Sequence, residues 1–126
     1  MPTVRTGDIE TYYERHGEGY PIIFAHGGGW DHRQWSPQVE TLTDEYEIIT
    51  YDARFHGKTE LVEDEHDIGP NFLSDDLQAL VDRLDLDQKP VVVGLSMGGA
   101  IAHVHAEMYP DGTAGLVTYE APLSVQ

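Results

Sequence analysis

The chain has 126 residues, a formal net charge of −16 and no cysteine, and this length is enough for one domain with a core of its own. Its 23 acidic residues against seven basic ones give a surface that repels nucleic acid and anionic membranes. The lack of thiols excludes disulfides and thiolate metal sites, and residues 1–5 lack the apolar run of a secretory signal. We therefore expect a cytoplasmic protein with no nucleic-acid or membrane partner.

The acidic residues are spread along the whole chain and do not gather in one tail. Two explanations are open: a halophilic protein from a high-salt cytoplasm, where salt screens the self-repulsion, or an ordinary acidic protein. The even spread favours the halophilic explanation.

The first elements in chain order are predicted to be strands. Residues 4–6 and 9–15 are rich in β-formers and flank Gly7-Asp8, which predicts an antiparallel hairpin. The continuous apolar run Ile22–Ala25 predicts a strand that is covered on both faces. This strand leads directly into the glycine-rich segment His26–Trp30.

Glycines that follow a strand let backbone N–H groups approach a ligand closely. A phosphate-binding loop is disfavoured because no Gly-Lys-Ser/Thr follows, whereas an oxyanion hole with the Gly28 N–H as donor fits better, and a flexible loop stays open. His26 is expected to be a structural hydrogen-bonding residue and not a base. Trp30 and Trp35 either line the mouth of a pocket or pack in the core.

The next segments predict a helix and a strand. A helix over residues 37–42 can be capped by Asp31 or Ser36, and Tyr46–Tyr51 reads as the following strand. Beyond the loop that follows it, the acid-rich run Glu60–Asp67 is expected to be solvated.

A second helix is predicted over Asn71–Leu86. Its apolar residues fall at helical spacing, which gives one continuous stripe: Leu73, Leu77, Leu80, Val81 and Leu84.

Pro90 opens a strand of three valines that runs directly into Gly94-x-Ser96-x-Gly98. A strand followed at once by a helix forces a tight turn, and glycine at both flanks removes the Cβ atoms that would clash there. One interpretation is a nucleophile elbow that presents the Ser96 hydroxyl at the top of a sheet, with the Met97 N–H pointing into the same space. The other is an ordinary Gly/Ser-rich turn.

A helix over Met97–Tyr109 and a strand over Ala114–Tyr119 complete the predicted elements. Strands that alternate with helices from residue 22 onward predict an α/β fold, with a doubly wound, mostly parallel sheet and the hairpin as an antiparallel edge. This gives one domain over residues 1–126, with six strands. The last strand would be an open apolar edge, so we expect a partner, which could be a second copy in a homo-oligomer, or a missing C-terminal segment.

The three loops at strand ends together resemble the N-terminal half of an α/β-hydrolase, over essentially the whole chain. The motifs are His26-Gly27-Gly28, Asp52-x-Arg54-x-His56-Gly57 and Gly94-x-Ser96-x-Gly98-Gly99. The resemblance implies Ser96 as the nucleophile and the Gly28 and Met97 N–H groups as oxyanion donors, with no cofactor and no metal. Phe55 departs from the family, which usually has glycine there.

The serine also narrows the chemistry that the resemblance implies. Family members that open epoxides or displace halide use a carboxylate nucleophile at this position, so a serine points to acyl transfer. We therefore expect a small-molecule carboxylic ester or lactone as the substrate, cleaved through an acyl-enzyme.

The catalytic acid and histidine of the family come from later in the chain, so a truncated or split, C-terminally incomplete hydrolase is expected. Some members place the acid directly after the sixth strand, which makes Glu120 a candidate acid. His103 lies seven residues along a helix from Ser96, about 10 Å away, which is too far for a general base. His56 is the remaining weak alternative. A non-catalytic binding remnant, or a domain completed by a partner chain, stays open.

Overall fold

The computed structural model describes residues 2–6, 8–62 and 72–119. The strands are β1 (Thr3–Thr6), β2 (Ile9–His16), β3 (Tyr20–Ala25), β4 (Tyr46–Tyr51), β5 (Glu60–Leu61), β6 (Val91–Leu95) and β7 (Gly115–Tyr119). The α-helices are α1 (Ser36–Leu42), α2 (Phe72–Leu84) and α3 (Met97–Met108), and a 3₁₀ helix covers His32–Trp35 just before α1.

The strands form one mixed sheet in the order β1-β2-β4-β3-β6-β7, and β5 pairs with β2. β4, β3, β6 and β7 run parallel to one another, while β1, β2 and β5 pair in antiparallel fashion. The predicted α/β class, with a mostly parallel sheet and an N-terminal antiparallel hairpin, is therefore confirmed.

The sequence predicted six strands and missed β5. Glu60 and Leu61 fall in the run that was expected to be a solvated loop, yet they pair with Glu10 and Ile9 of β2. Both side chains stay exposed, so neither belongs to the core. A two-residue strand leaves no alternation of apolar and polar residues to detect.

The two faces of the sheet bury different side chains because neighbouring residues of a strand point to opposite faces. Ile23 and Val92 belong to the core that includes the leucines of α2 and residues of α3. Phe24 and Val93 belong to a second, smaller cluster with Trp35 on the side of α1.

The α1 side leaves an apolar groove of about 350 Å³ over the middle of the sheet. Val117 and Tyr119 line it from β7, the last strand in the sheet order, and their exposed fractions are 43% and 52%. Among the described residues, β7 thus ends the sheet with apolar side chains in contact with solvent. No helix in this part of the chain is long and apolar enough to cross a membrane.

Candidate active site at the carboxyl edge of the sheet

Ser96 stands at the corner between β6 and α3. Its backbone has φ 53° and ψ −113°, a left-handed value of φ that non-glycine residues rarely adopt. The residue is exposed, and its amide donates to the carbonyl of Tyr119 at 3.0 Å. The corner therefore holds the serine backbone in an uncommon conformation while the residue remains open to solvent.

Gly94 and Gly98, on either side of Ser96, permit this corner because they let backbone segments lie in direct contact with each other. A Cβ atom on Gly94 would lie 2.2 Å from the Gly98 carbonyl oxygen, and a Cβ atom on Gly98 would lie 2.0 Å from the Ala25 carbonyl oxygen. Side chains at these two positions are thus excluded by backbone, which cannot move aside as a flexible side chain could.

The glycine loop after β3 lies beside the Ser96 corner. A Cβ atom added to Gly28 would lie 3.7 Å from Met97 Cβ. A Cβ atom added to Gly27 would lie 3.5 Å from the Leu95 carbonyl oxygen. Met97 is the first residue of α3, so its N–H has no acceptor within the helix. The structure therefore brings together the three residues expected to carry the nucleophile and the oxyanion-binding amides.

His26 ties the glycine loop to the loop after β4. Its Nδ1–H donates to the Gly27 carbonyl at 2.8 Å, and its Nε2 accepts from the Ala53 amide at 3.0 Å. The ring is buried, and this burial lowers its pKa from the usual 6.5. Both nitrogens are engaged in holding backbone, as the sequence analysis predicted for His26.

A buried network around Asp52 was not predicted. Asp52 Oδ1 accepts the backbone N–H and the ring Nδ1–H of His32 at 2.7 and 2.8 Å, and Oδ2 accepts the Lys58 amide at 2.8 Å. His32 Nε2 lies 3.3 Å from Glu14. Glu14 also accepts the Tyr12 hydroxyl at 2.5 Å, and this bond raises the pKa of Tyr12 to about 12. Asp52 of the second motif thus shapes its own loop and anchors the 3₁₀ helix.

Asp31, His32 and Asp52 bring possible metal-ligand atoms within 4.8 Å of one another. The Asp31 carboxylate, however, is paired with the Arg33 guanidinium at 3.0 and 2.7 Å, which lowers the pKa of Asp31 to about 2. The carboxylate of Asp52 is occupied by the hydrogen bonds given above. Ion pairing and hydrogen bonding therefore account for this cluster without a metal ion.

The histidines of the described residues are engaged elsewhere than at the Ser96 hydroxyl. His103 pairs with Glu107 at 3.0 Å, and His105 is buried with its Nε2 2.8 Å from Gln78 Oε1. The two rings thus diverge, as expected for residues two apart on a helix. His56 Nδ1 lies 2.9 Å from the Arg54 carbonyl. Glu120, the candidate acid, lies outside the described residues.

The fold and the corner together define a class: an α/β protein with a mostly parallel sheet that presents a serine between a strand and a helix, beside a glycine loop. The family model of the alpha/beta hydrolase fold matches residues 20–125. The chain therefore belongs to the alpha/beta hydrolase fold family, and its relatives include hydrolases.

The chain is similar to proteins of several activities. It is 36% identical over 81 residues to 3-oxoadipate enol-lactonase 1 of Acinetobacter baylyi, a match that covers 64% of this chain and 29% of that protein. The structure of a thermophilic esterase from Thermogutta terrifontis matches with a TM-score of 0.84 and 34% identity. That of the epoxide hydrolase VrEH1 from Vigna radiata matches with a TM-score of 0.87 and 25% identity.

These matches cover most of this chain but less than half of each relative. The structural matches span 94% of this chain and 43% of the esterase, and 98% of this chain and 40% of the epoxide hydrolase. The chain thus spans about two fifths of the length of these solved relatives.

Proposed function

We propose that this chain carries the nucleophile and the oxyanion-binding amides of a serine hydrolase that cleaves carboxylic esters or lactones. The observation that carries the proposal is the left-handed backbone of Ser96, φ 53°, in an exposed residue at the start of α3. The lactonase and the esterase among its relatives support acyl chemistry. An epoxide hydrolase shares the same fold, so the argument rests on the serine at this corner and not on the fold.

The proposed reaction begins with attack of Ser96 Oγ on the substrate carbonyl carbon. A C–O bond forms, the hydroxyl proton passes to a base, and the carbonyl oxygen becomes an oxyanion. The amides of Gly28 and Met97 donate to that oxygen, and the positive end of the α3 dipole adds to the stabilisation. Collapse expels the alkoxide with a proton and leaves an acyl-serine, which water then hydrolyses.

The base is the part of this mechanism that the described residues do not supply. The proposal assigns it to polypeptide that the relatives have and this chain does not span, and it keeps Glu120 as the candidate acid. The part of the mechanism that the proposal assigns to this chain is therefore the Ser96 nucleophile and its dependence on the neighbouring amides.

A fluorophosphonate probe tests the reactivity of Ser96 in a version of the protein extended by the polypeptide that supplies the base, with adducts located by mass spectrometry of peptides. We expect labelling of Ser96 to be faster than labelling of Ser36, an exposed serine whose hydroxyl donates to the Arg33 carbonyl at 2.9 Å. Ser96→Ala should abolish the main adduct, whereas the matched variant Ser36→Ala should leave it in place.

Equal labelling of the two serines would contradict the proposal. That result would favour the alternative of a non-catalytic binding module that keeps the hydrolase fold without its chemistry.

A further inference from the structure

Phe55 combines two features that do not favour folding. Its backbone has φ 69°, and a bulky residue in the left-handed region is a true outlier. Its side chain is 62% exposed, so the ring gains little from burial. Strained residues of this kind persist where the surrounding structure fixes them, and they are concentrated at ligand-binding sites.

The loop around Phe55 is firmly held by hydrogen bonds. The His56 amide donates to the Ala53 carbonyl at 2.9 Å, and the Thr59 hydroxyl donates to the Asp52 carbonyl at 2.6 Å. The Phe55 ring itself touches the edge of the Phe72 ring, with 6.4 Å between centroids. The ring is therefore presented from a fixed backbone, with one side supported and the rest facing solvent.

Phe55 and Ser96 lie at the same edge of the sheet. β3 pairs in parallel with β4 on one side and with β6 on the other, and adjacent strands are about 4.8 Å apart. The loop that holds Phe55 meets the glycine loop that follows β3, because the His56 ring lies 5.1 Å from the His26 ring. The ends of β4 and β6 are thus two strand spacings, about 10 Å, apart, and the loop and the corner that follow them lie at one edge of the sheet.

We propose that Phe55 determines substrate specificity by packing its ring against an aryl or other bulky apolar group of the ester. This inference rests on the proposed function, because it takes Ser96 as the reacting residue. It goes beyond that function by naming the class of substrate: esters with a large apolar group next to the scissile bond are preferred over those with a methyl group.

Two sulfonyl fluorides test the inference, phenylmethanesulfonyl fluoride and methanesulfonyl fluoride. In the same extended protein, each forms an Oγ–S bond to serine while the S–F bond breaks, fluoride leaves and the hydroxyl proton passes to the base. The quantity to measure is the ratio of the two second-order rate constants at Ser96, phenylmethyl over methyl. Both reagents carry the same reacting group, so the ratio isolates the contact with the ring.

In Phe55→Gly we expect the ratio to fall about three- to tenfold, the size of one aromatic contact, with the methyl rate unchanged within about twofold. Glycine accepts φ 69° without strain, so this variant should fold, and circular dichroism checks that it does. Phe55→Leu should retain an intermediate ratio. Met108→Ala is the matched control: Met108 is an exposed apolar residue at the far end of α3, and its loss should leave the ratio unchanged.

The two possible failures can be told apart. If both reagents label Ser96 and the ratio is the same in Phe55→Gly as in the wild type, Phe55 does not set specificity, while the proposed function stands. If neither reagent labels Ser96 in the wild type, the proposed function fails and this inference fails with it.

Discussion

The corners after β4 and β6 each hold a non-glycine residue in the left-handed region, but they are built in opposite ways. Around Ser96, glycines let backbone pack directly against backbone, and the contact distances leave no space for a methyl group. Around Phe55, the carboxylate and carbonyl of Asp52 hold the loop through hydrogen bonds. Close contact between backbone atoms thus predominates at one corner, and polar contacts to a buried acid predominate at the other.

This difference teaches that a strained backbone can be maintained in two ways. One is sensitive to added side-chain volume, and the other is sensitive to the loss of hydrogen bonds. A corner fixed by close packing should fail when volume is added, and it should be indifferent to pH. A corner fixed by hydrogen bonds should respond to the loss of a hydrogen-bonding side chain. His26 joins the two, since it leads into the glycine loop and accepts from the Ala53 amide.

The largest expected effect is that of adding one methyl group at the Ser96 corner. Gly98→Ala places a Cβ atom 2.0 Å from the Ala25 carbonyl oxygen, so the free energy of unfolding should fall by about 3 kcal/mol or more. Gly115→Ala is the matched control, because nothing lies within 4 Å of its Cβ position, and its effect should stay within about 0.5 kcal/mol. Urea denaturation measures both, and equal losses would refute the steric account.

The second effect is a dependence of stability on pH. Burial lowers the pKa of His26 and of His105 in the folded state, so the unfolded chain binds the proton more readily. Stability contributed by these residues is complete above pH 6.5 and is lost as the pH falls through their folded pKa values. We expect the free energy of unfolding to drop between pH 7.5 and 5.5, by up to about 1.4 kcal/mol per pH unit for each histidine.

His105→Gln separates the two contributions to this pH dependence. His105 lies away from both corners, against Gln78 of α2, so the slope that remains in the variant includes that of His26. A slope of the same size in the variant and the wild type would exclude His105. A stability that is flat or rises toward pH 5.5 would contradict the account for both residues.

The smallest effect concerns the strain itself. Glycine accepts positive φ more readily than alanine does. The free energy of unfolding of Phe55→Gly should therefore be higher than that of Phe55→Ala by about 1 kcal/mol. The free energy of unfolding of Ser96→Gly should be higher than that of Ser96→Ala by a similar amount. Each pair removes the same side-chain functions, so the difference reports backbone strain alone. Thermal unfolding compares the pairs, and an alanine variant that equals its glycine counterpart would show that the corner is relaxed.

Much of the fold could be predicted from the sequence because its elements carry strong periodic signals. The helix predicted over 71–86 is observed as Phe72–Leu84, and the one predicted over 97–109 ends at Met108. The leucine stripe predicts its helix and the run of valines predicts its strand from local sequence alone. The predicted start, residue 71, lies outside the described residues, and the other differences are one or two residues at helix ends.

Other features depend on contacts between distant residues and could not be predicted. The bond from His32 to Asp52 joins residues 20 apart, and neither residue type nor spacing signals it. The two tryptophans illustrate the same limit: Trp30 is 60% exposed and Trp35 is 4% exposed, although the sequence left both options open for each. For Phe55, the departure from the family pattern was visible in the sequence, but its left-handed backbone was not.

The apolar side chains of β7 have a consequence for how the protein behaves in concentrated solution. At low salt, the net charge of −16 keeps copies apart over a Debye length of about 10 Å at 0.1 M, and this length shrinks to about 3 Å at 1 M. Salt that screens the repulsion between charges within one copy therefore also screens the repulsion between two copies. Val117 and Tyr119 of two copies can then come into contact. The chain should thus disperse best at moderate ionic strength, where neither internal repulsion nor colloidal attraction dominates.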